Sequence, residues 1–62
     1  MNEIKIGDLI RIKDEWVWLY YEFMDQVGIV TMIIEAPYTR AQFLMNGSYY
    51  VMQTDMLEVI PT

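Results

Sequence analysis

The chain has 62 residues and a net charge of -5, with nine Asp or Glu residues against four Lys or Arg residues. It contains no cysteine and no histidine, which excludes disulfides, thiolate and imidazole metal ligands, and the usual nucleophile and general base of an active site. The excess of acids disfavours nucleic acid and anionic membranes as partners, because both attract basic side chains. These limits predict one domain over residues 1–62, with no enzymatic activity, cofactor or metal.

The first predicted strand spans residues 4–13. Its even positions carry β-branched apolar side chains and its odd positions carry basic ones, which is the period of two of a half-buried strand. Gly7 and Asp8 interrupt this pattern and predict a turn or bulge before the main part of the strand. The predicted inner positions are Ile4, Ile6, Ile10 and Ile12.

The aromatic segment at residues 14–25 allows two interpretations. In an extended conformation Trp16, Trp18 and Tyr20 share one side, and Val17, Leu19, Tyr21 and Phe23 share the other. In a helix Trp16, Leu19, Tyr20 and Phe23 share a face, and Asp14 is placed to cap its start. The aromatic and β-branched content favours the extended hairpin.

The next predicted strand, at residues 27–35, is apolar at both odd and even positions. It is therefore either covered on both faces or long and sharply bent. Gly28 near its start permits a close backbone approach or a bulge. Pro37 ends the strand because proline cannot donate a ladder hydrogen bond.

Two further strands are predicted at residues 40–45 and 48–53. In the first, Ala41, Phe43 and Met45 alternate with Arg40 and Gln42, and apolar Leu44 is the exception. Asn46-Gly47 between the two strands is the strongest short signal for a type I′ hairpin turn. A turn or 3₁₀ turn at Thr54-Asp55 then precedes a last short strand at residues 57–60. Five short strands with tight connections predict an all-β fold, a small and partly open five-stranded barrel, because this shape buries both faces of so short a sheet.

The order of these motifs resembles that of small SH3-like barrel proteins encoded by bacteriophages, marine ones in particular. The resemblance is carried by the segments at residues 5–12, 27–30, 43–47 and 55–60 and leaves out the loop at residues 14–26. It implies an SH3-like barrel and a phage or viral origin, and it implies no particular activity. Gly28-Ile29-Val30 is also similar to KOW-type barrels, which implies an alternative role at RNA or the ribosome.

The expected function is a non-enzymatic protein-interaction module. In SH3-like barrels the first long loop presents aromatic and acidic side chains to peptides, and proline-rich segments dock between the rings. The alternative is that these rings complete a thin core. The candidate partner-binding residues are Asp14, Glu15, Trp16, Trp18, Tyr20, Tyr21, Tyr38 and Tyr50.

Three further expectations concern the loop acids, the surplus of apolar residues and the location of the protein. The spacing of Asp14, Glu15, Glu22 and Asp25 matches no calcium-binding loop, so these acids are interpreted as solvated charges. The apolar share of 55% exceeds what one small core needs, which predicts an exposed interface and favours a homodimer. The N-terminus has no secretory pattern and the chain no membrane-spanning run, which predicts a cytoplasmic protein, in the host cytoplasm if viral.

Overall fold

A computed structural model describes residues 3–19 and 21–61 and shows a mostly-β domain with one short helix and two 3₁₀ turns. The strands agree with the prediction to within a few residues, except that the first one begins only after Gly7-Asp8. The elements are β1 (Leu9–Ile12), α1 (Asp14–Val17), a first 3₁₀ turn (Tyr21–Phe23), β2 (Gly28–Ile34), β3 (Arg40–Met45), β4 (Ser48–Gln53), a second 3₁₀ turn (Thr54–Met56) and β5 (Leu57–Val59).

The five strands form one antiparallel sheet in the order β4-β3-β2-β1-β5. The first and last strands of the chain are therefore neighbours, and β4 and β5 are the edges. Hydrogen bonds do not close the sheet into a barrel. No helix in the described part of the chain is long and apolar enough to cross a membrane.

One continuous core lies on the inner face of the sheet. The alternation predicted for β3 is confirmed, because its odd-numbered residues are buried and its even-numbered ones are half-buried. Phe43 of this strand is completely buried and tilts against the ring of Tyr50 from β4. The buried residues are Ile10, Ile12, Phe23, Val30, Ala41, Phe43, Met45 and Leu57.

A bulge in β2 explains why this strand is apolar at both odd and even positions. The pairing with β3 shifts register between Val30 and Met32. Val30 is buried, Met32 is exposed, and Ile33 packs against the core again. Since the extra residue reverses the alternation, the even position faces inward before the bulge and the odd position after it. Of the two predicted explanations, the bent strand is the observed one.

Two glycine-dependent predictions are confirmed. A Cβ atom added to Gly28 would lie 3.0 Å from Cδ2 of Phe43 and 3.2 Å from the carbonyl oxygen of Leu44, so β2 and β3 approach closely there. In the β3–β4 turn Asn46 and Gly47 have φ of 52° and 81°, and a type I′ turn needs positive values at both positions. The second 3₁₀ turn also lies where it was predicted.

The extended interpretation of residues 14–25 is wrong. This segment joins two strands that already pair with each other, β1 and β2, so no neighbouring strand supplies ladder hydrogen bonds to it. Its backbone groups are satisfied locally instead. The carbonyl of Lys13 accepts from the amides of Trp16 and Val17, and the carbonyl of Tyr21 accepts from the amide of Met24. The result is one helical turn and one 3₁₀ turn.

Two smaller predictions are also wrong. Asp14 does not cap α1, because Lys13 occupies the cap position, no side chain caps it, and the Asp14 carboxylate pairs with Arg11. Ile6 is not an inner residue but 66% exposed. It lies in the predicted turn before β1, which has φ of 94° at Gly7 and is held by the Asp8 carboxylate accepting from the Lys5 amide at 2.8 Å.

Candidate interaction surfaces

The connection between β1 and β2 carries the most exposed apolar side chains of the described chain. Trp18 is 70% exposed and Tyr21 is 72% exposed. Leu19 and Met24 are also more than half exposed. We call residues 14–19 and 21–25 of this connection the aromatic loop. Its four acids, Asp14, Glu15, Glu22 and Asp25, are exposed as well.

A recess of about 210 Å³ lies between the aromatic loop and the sheet. Its apolar wall is formed by Ile12, Val17 and Phe23. Arg11 and Asp14 form part of its rim and pair with each other there. Two of the loop acids, Asp14 and Asp25, line this recess, whereas Trp18 and Tyr21 are not among its lining residues.

Two of the predicted site residues belong to the core rather than to the surface. Trp16 is half-buried and packs against the buried cluster. Tyr50 is half-buried, with its ring 4.8 Å from that of Phe23 in an edge-to-face arrangement. The two residues help hold the aromatic loop against the sheet. Tyr20 lies outside the described residues.

Tyr38 lies apart from the aromatic loop, in the turn between β2 and β3. The guanidinium of Arg40 lies 4.9 Å from the centre of its ring, and the same group donates a hydrogen bond of 3.1 Å to the carbonyl of Ala36. Tyr49 and Tyr50 are successive residues of β4 and therefore face opposite sides of the sheet. The three tyrosines thus do not form one aromatic cage.

The outer face of the sheet carries a second apolar surface that the sequence motifs did not indicate. One row of cross-strand partners runs over β1, β2, β3 and β4 without a charged member. Tyr49 at its end is 63% exposed. The only sequence signal for this row was the apolar residue that interrupted the alternation of β3. We call it the outer row; it consists of Leu9, Ile29, Leu44 and Tyr49.

A third surface is an open groove of about 730 Å³ beside β5, called here the β5 groove. Its floor is apolar, with buried Leu57 and with Ile4, Ile33 and Val59 packed against the core. Its rim is acidic. The charged residues that line it are Glu3, Glu35, Asp55, Glu58 and, as the one cation, Lys13.

Three of the four basic side chains, Arg11, Lys13 and Arg40, lie close to acidic or aromatic side chains. Arg11 pairs with Asp14 and, at 2.9 Å, with Glu58. Lys13 lies in the β5 groove among carboxylates, and Arg40 is engaged by Tyr38.

Comparison with protein-family models, curated proteins and solved structures found no match to this chain. Within residues 3–19 and 21–61 no group of three or more acidic side chains is placed to hold a metal ion.

Proposed function

We propose that this protein is a non-enzymatic protein-interaction module with an SH3-like, partly open barrel. The antiparallel order β4-β3-β2-β1-β5, the long β1–β2 connection, the tight β3–β4 hairpin and the 3₁₀ turn before β5 support the barrel assignment. The order of sequence motifs that resembles phage SH3-like proteins supports a phage or viral origin.

The observation that carries the proposed function is the exposure of Trp18 and Tyr21 in the aromatic loop. Large aromatic side chains bury the most apolar area when they are covered, so leaving two of them more than two-thirds exposed favours a partner that covers them. The ligand is a proline-rich peptide with a basic residue. Its polyproline helix loses little entropy on docking between rings, and its cation meets the acids of the loop.

The test is a titration of the protein into a fluorescein-labelled proline-rich peptide carrying one arginine, followed by fluorescence anisotropy. Trp18→Ala is expected to weaken binding at least tenfold, as aromatic anchors of interfaces do. Its fold is expected to persist, since the side chain is mostly in solvent. Ile6→Ala removes a similarly exposed apolar side chain that lies outside the aromatic loop, the outer row and the β5 groove. It is the control, with an affinity within twofold of the unaltered protein.

Three outcomes contradict this proposal. The first is that the peptide does not bind. The second is that Trp18→Ala binds as well as the unaltered protein. The third is that Trp18→Ala fails to fold by circular dichroism, which would show that the ring has a structural role. Trp16→Ala provides the comparison for a structural role, because that residue packs against the core and its removal should lower the unfolding temperature.

The outer row favours a second candidate function, self-association as a homodimer. Four apolar side chains in one uncharged row across four strands form a surface that two copies can bury against each other around a two-fold axis. Light scattering over a dilution series tests it. A dimer that becomes monomeric in Ile29→Lys supports this use of the row, and a monomer at all concentrations contradicts it.

A further inference from the structure

The β5 groove is built differently from the other two surfaces, because an apolar floor and an acidic rim occur together. The floor residues are continuous with the core through Leu57, which is buried. Such a floor takes apolar side chains of a ligand. The volume of about 730 Å³ accommodates several residues rather than one side chain.

The charge of the groove is only partly compensated. Glu58 is paired with Arg11 at 2.9 Å. Within residues 3–19 and 21–61 no ion pair involves Glu3, Glu35 or Asp55, and all three are exposed. The repulsion among these carboxylates falls when a ligand brings cations between them, so electrostatic complementarity selects a basic ligand.

The position of the groove beside an edge strand indicates the conformation of that ligand. β5 pairs with β1 on one side only. Arg11 and Glu58 face each other in this pair, and the flanking bonds run from the Ile60 amide to Leu9 and from the Lys13 amide to Met56. The alternation of an antiparallel ladder therefore turns the backbone groups of Val59 away from β1. An extended segment lying along β5 meets these groups.

We propose that the β5 groove binds an extended, basic segment of a partner protein. Alternate apolar side chains of the segment lie on Ile33 and Val59, and its Lys or Arg side chains meet Glu35 and Asp55. A second copy of this chain does not fit this role, because it has a net charge of -5 and only four basic residues. Nucleic acid is repelled by the rim.

The experiment uses three fluorescein-labelled nonapeptides in anisotropy titrations at low and high salt. The first alternates valine and lysine, the second alternates valine and glutamate, and the third carries the same lysines between glycine and serine. The valine–lysine peptide is expected to bind, and its affinity is expected to fall as the salt concentration rises. The glutamate peptide should not bind, and the glycine–serine peptide should bind at least tenfold more weakly for lack of apolar contacts.

Paired charge variants locate the binding. The double variant Glu35→Gln, Asp55→Asn is expected to lower the affinity for the valine–lysine peptide at least tenfold. The matched control, Glu15→Gln with Glu22→Gln, removes the same charge from the aromatic loop and should change the affinity less than twofold. The proposal is wrong if the valine–lysine peptide does not bind at low salt, or if both double variants weaken it equally. Trp18→Ala should leave this binding unchanged, so the groove and the aromatic loop are tested separately.

Discussion

Gly28→Ala tests the close packing of β2 against β3. The added Cβ would lie 3.0 Å from Cδ2 of Phe43, 3.2 Å from the carbonyl oxygen of Leu44 and 3.3 Å from Cε of Met45. Carbon atoms pack best at about 3.5–4.0 Å, so the first contact is an overlap. The Phe43 ring is fully buried and the Leu44 oxygen belongs to the backbone of β3. Relief therefore requires the two strands to separate slightly.

Two effects of opposite sign determine how much Gly28→Ala changes the free energy of unfolding. Overpacking of a core costs about 1–3 kcal/mol. Replacing glycine by alanine also lowers the entropy of the unfolded chain, which stabilises the fold by about 0.4–1 kcal/mol where the site is unstrained. The steric cost is the larger of the two, because one of the clashing atoms cannot rotate away. A net loss of about 1–2 kcal/mol lowers the unfolding temperature of so small a domain by roughly 5–15 °C.

Thermal unfolding followed by circular dichroism measures this shift. In a Phe43→Leu background the shorter side chain gives room to the new methyl group, so the cost of Gly28→Ala should be smaller there than in the unaltered protein. An unfolding temperature that rises in Gly28→Ala would contradict the predicted overlap, since it would show that the lower entropy of the unfolded chain outweighs the steric cost.

Three further predictions follow from the turn, the surface ion pair and the charge. Gly47→Ala places a Cβ at a φ of 81° and should lower the free energy of unfolding by about 1–2 kcal/mol. The midpoint of urea unfolding should therefore fall, and an unchanged midpoint would contradict the turn geometry. Arg11→Ala and Glu58→Ala should each cost less than about 1 kcal/mol, because the pair is half in solvent, and the loss should shrink when the melts are repeated in high salt. A mobility-shift assay with bulk RNA at low salt should show no complex, and a retarded band would support the alternative of a KOW-like role at RNA or the ribosome.

The strands and tight turns could be predicted because their signals are local. The alternation in β3, the Asn46-Gly47 pair and the proline after β2 each act within a few residues. The sequence indicated the irregularity of β2 only because its apolar residues occupy both odd and even positions. This pattern does not show at which residue the register shifts. The pairing of β2 with β3 decides that, and this pairing is a property of the tertiary structure.

The aromatic loop was predicted as a segment but not in its conformation. In a strand Trp16 and Trp18 would share a side, whereas on a helical turn residues two apart point in directions about 200° apart. The observed turn therefore sends Trp16 toward the core and leaves Trp18 in solvent. The question of core or binding surface thus has a different answer for each ring. Sequence alone treated them as one group because it favoured the wrong backbone conformation.

The β5 groove had no sequence signal at all, because its lining comes from segments between residue 3 and residue 59 that only the fold brings together. The sequence does show the excess of acidic over basic residues on which the proposed binding to the groove depends. A net charge of -5 on 62 residues opposes self-association at any acidic surface and speeds the approach of a basic partner. The uncharged outer row is the one described surface where two copies can meet without that repulsion. The ligands proposed for the acidic loop and for the acidic groove are both cationic peptides, and they differ in whether the peptide backbone is a polyproline helix or an extended strand.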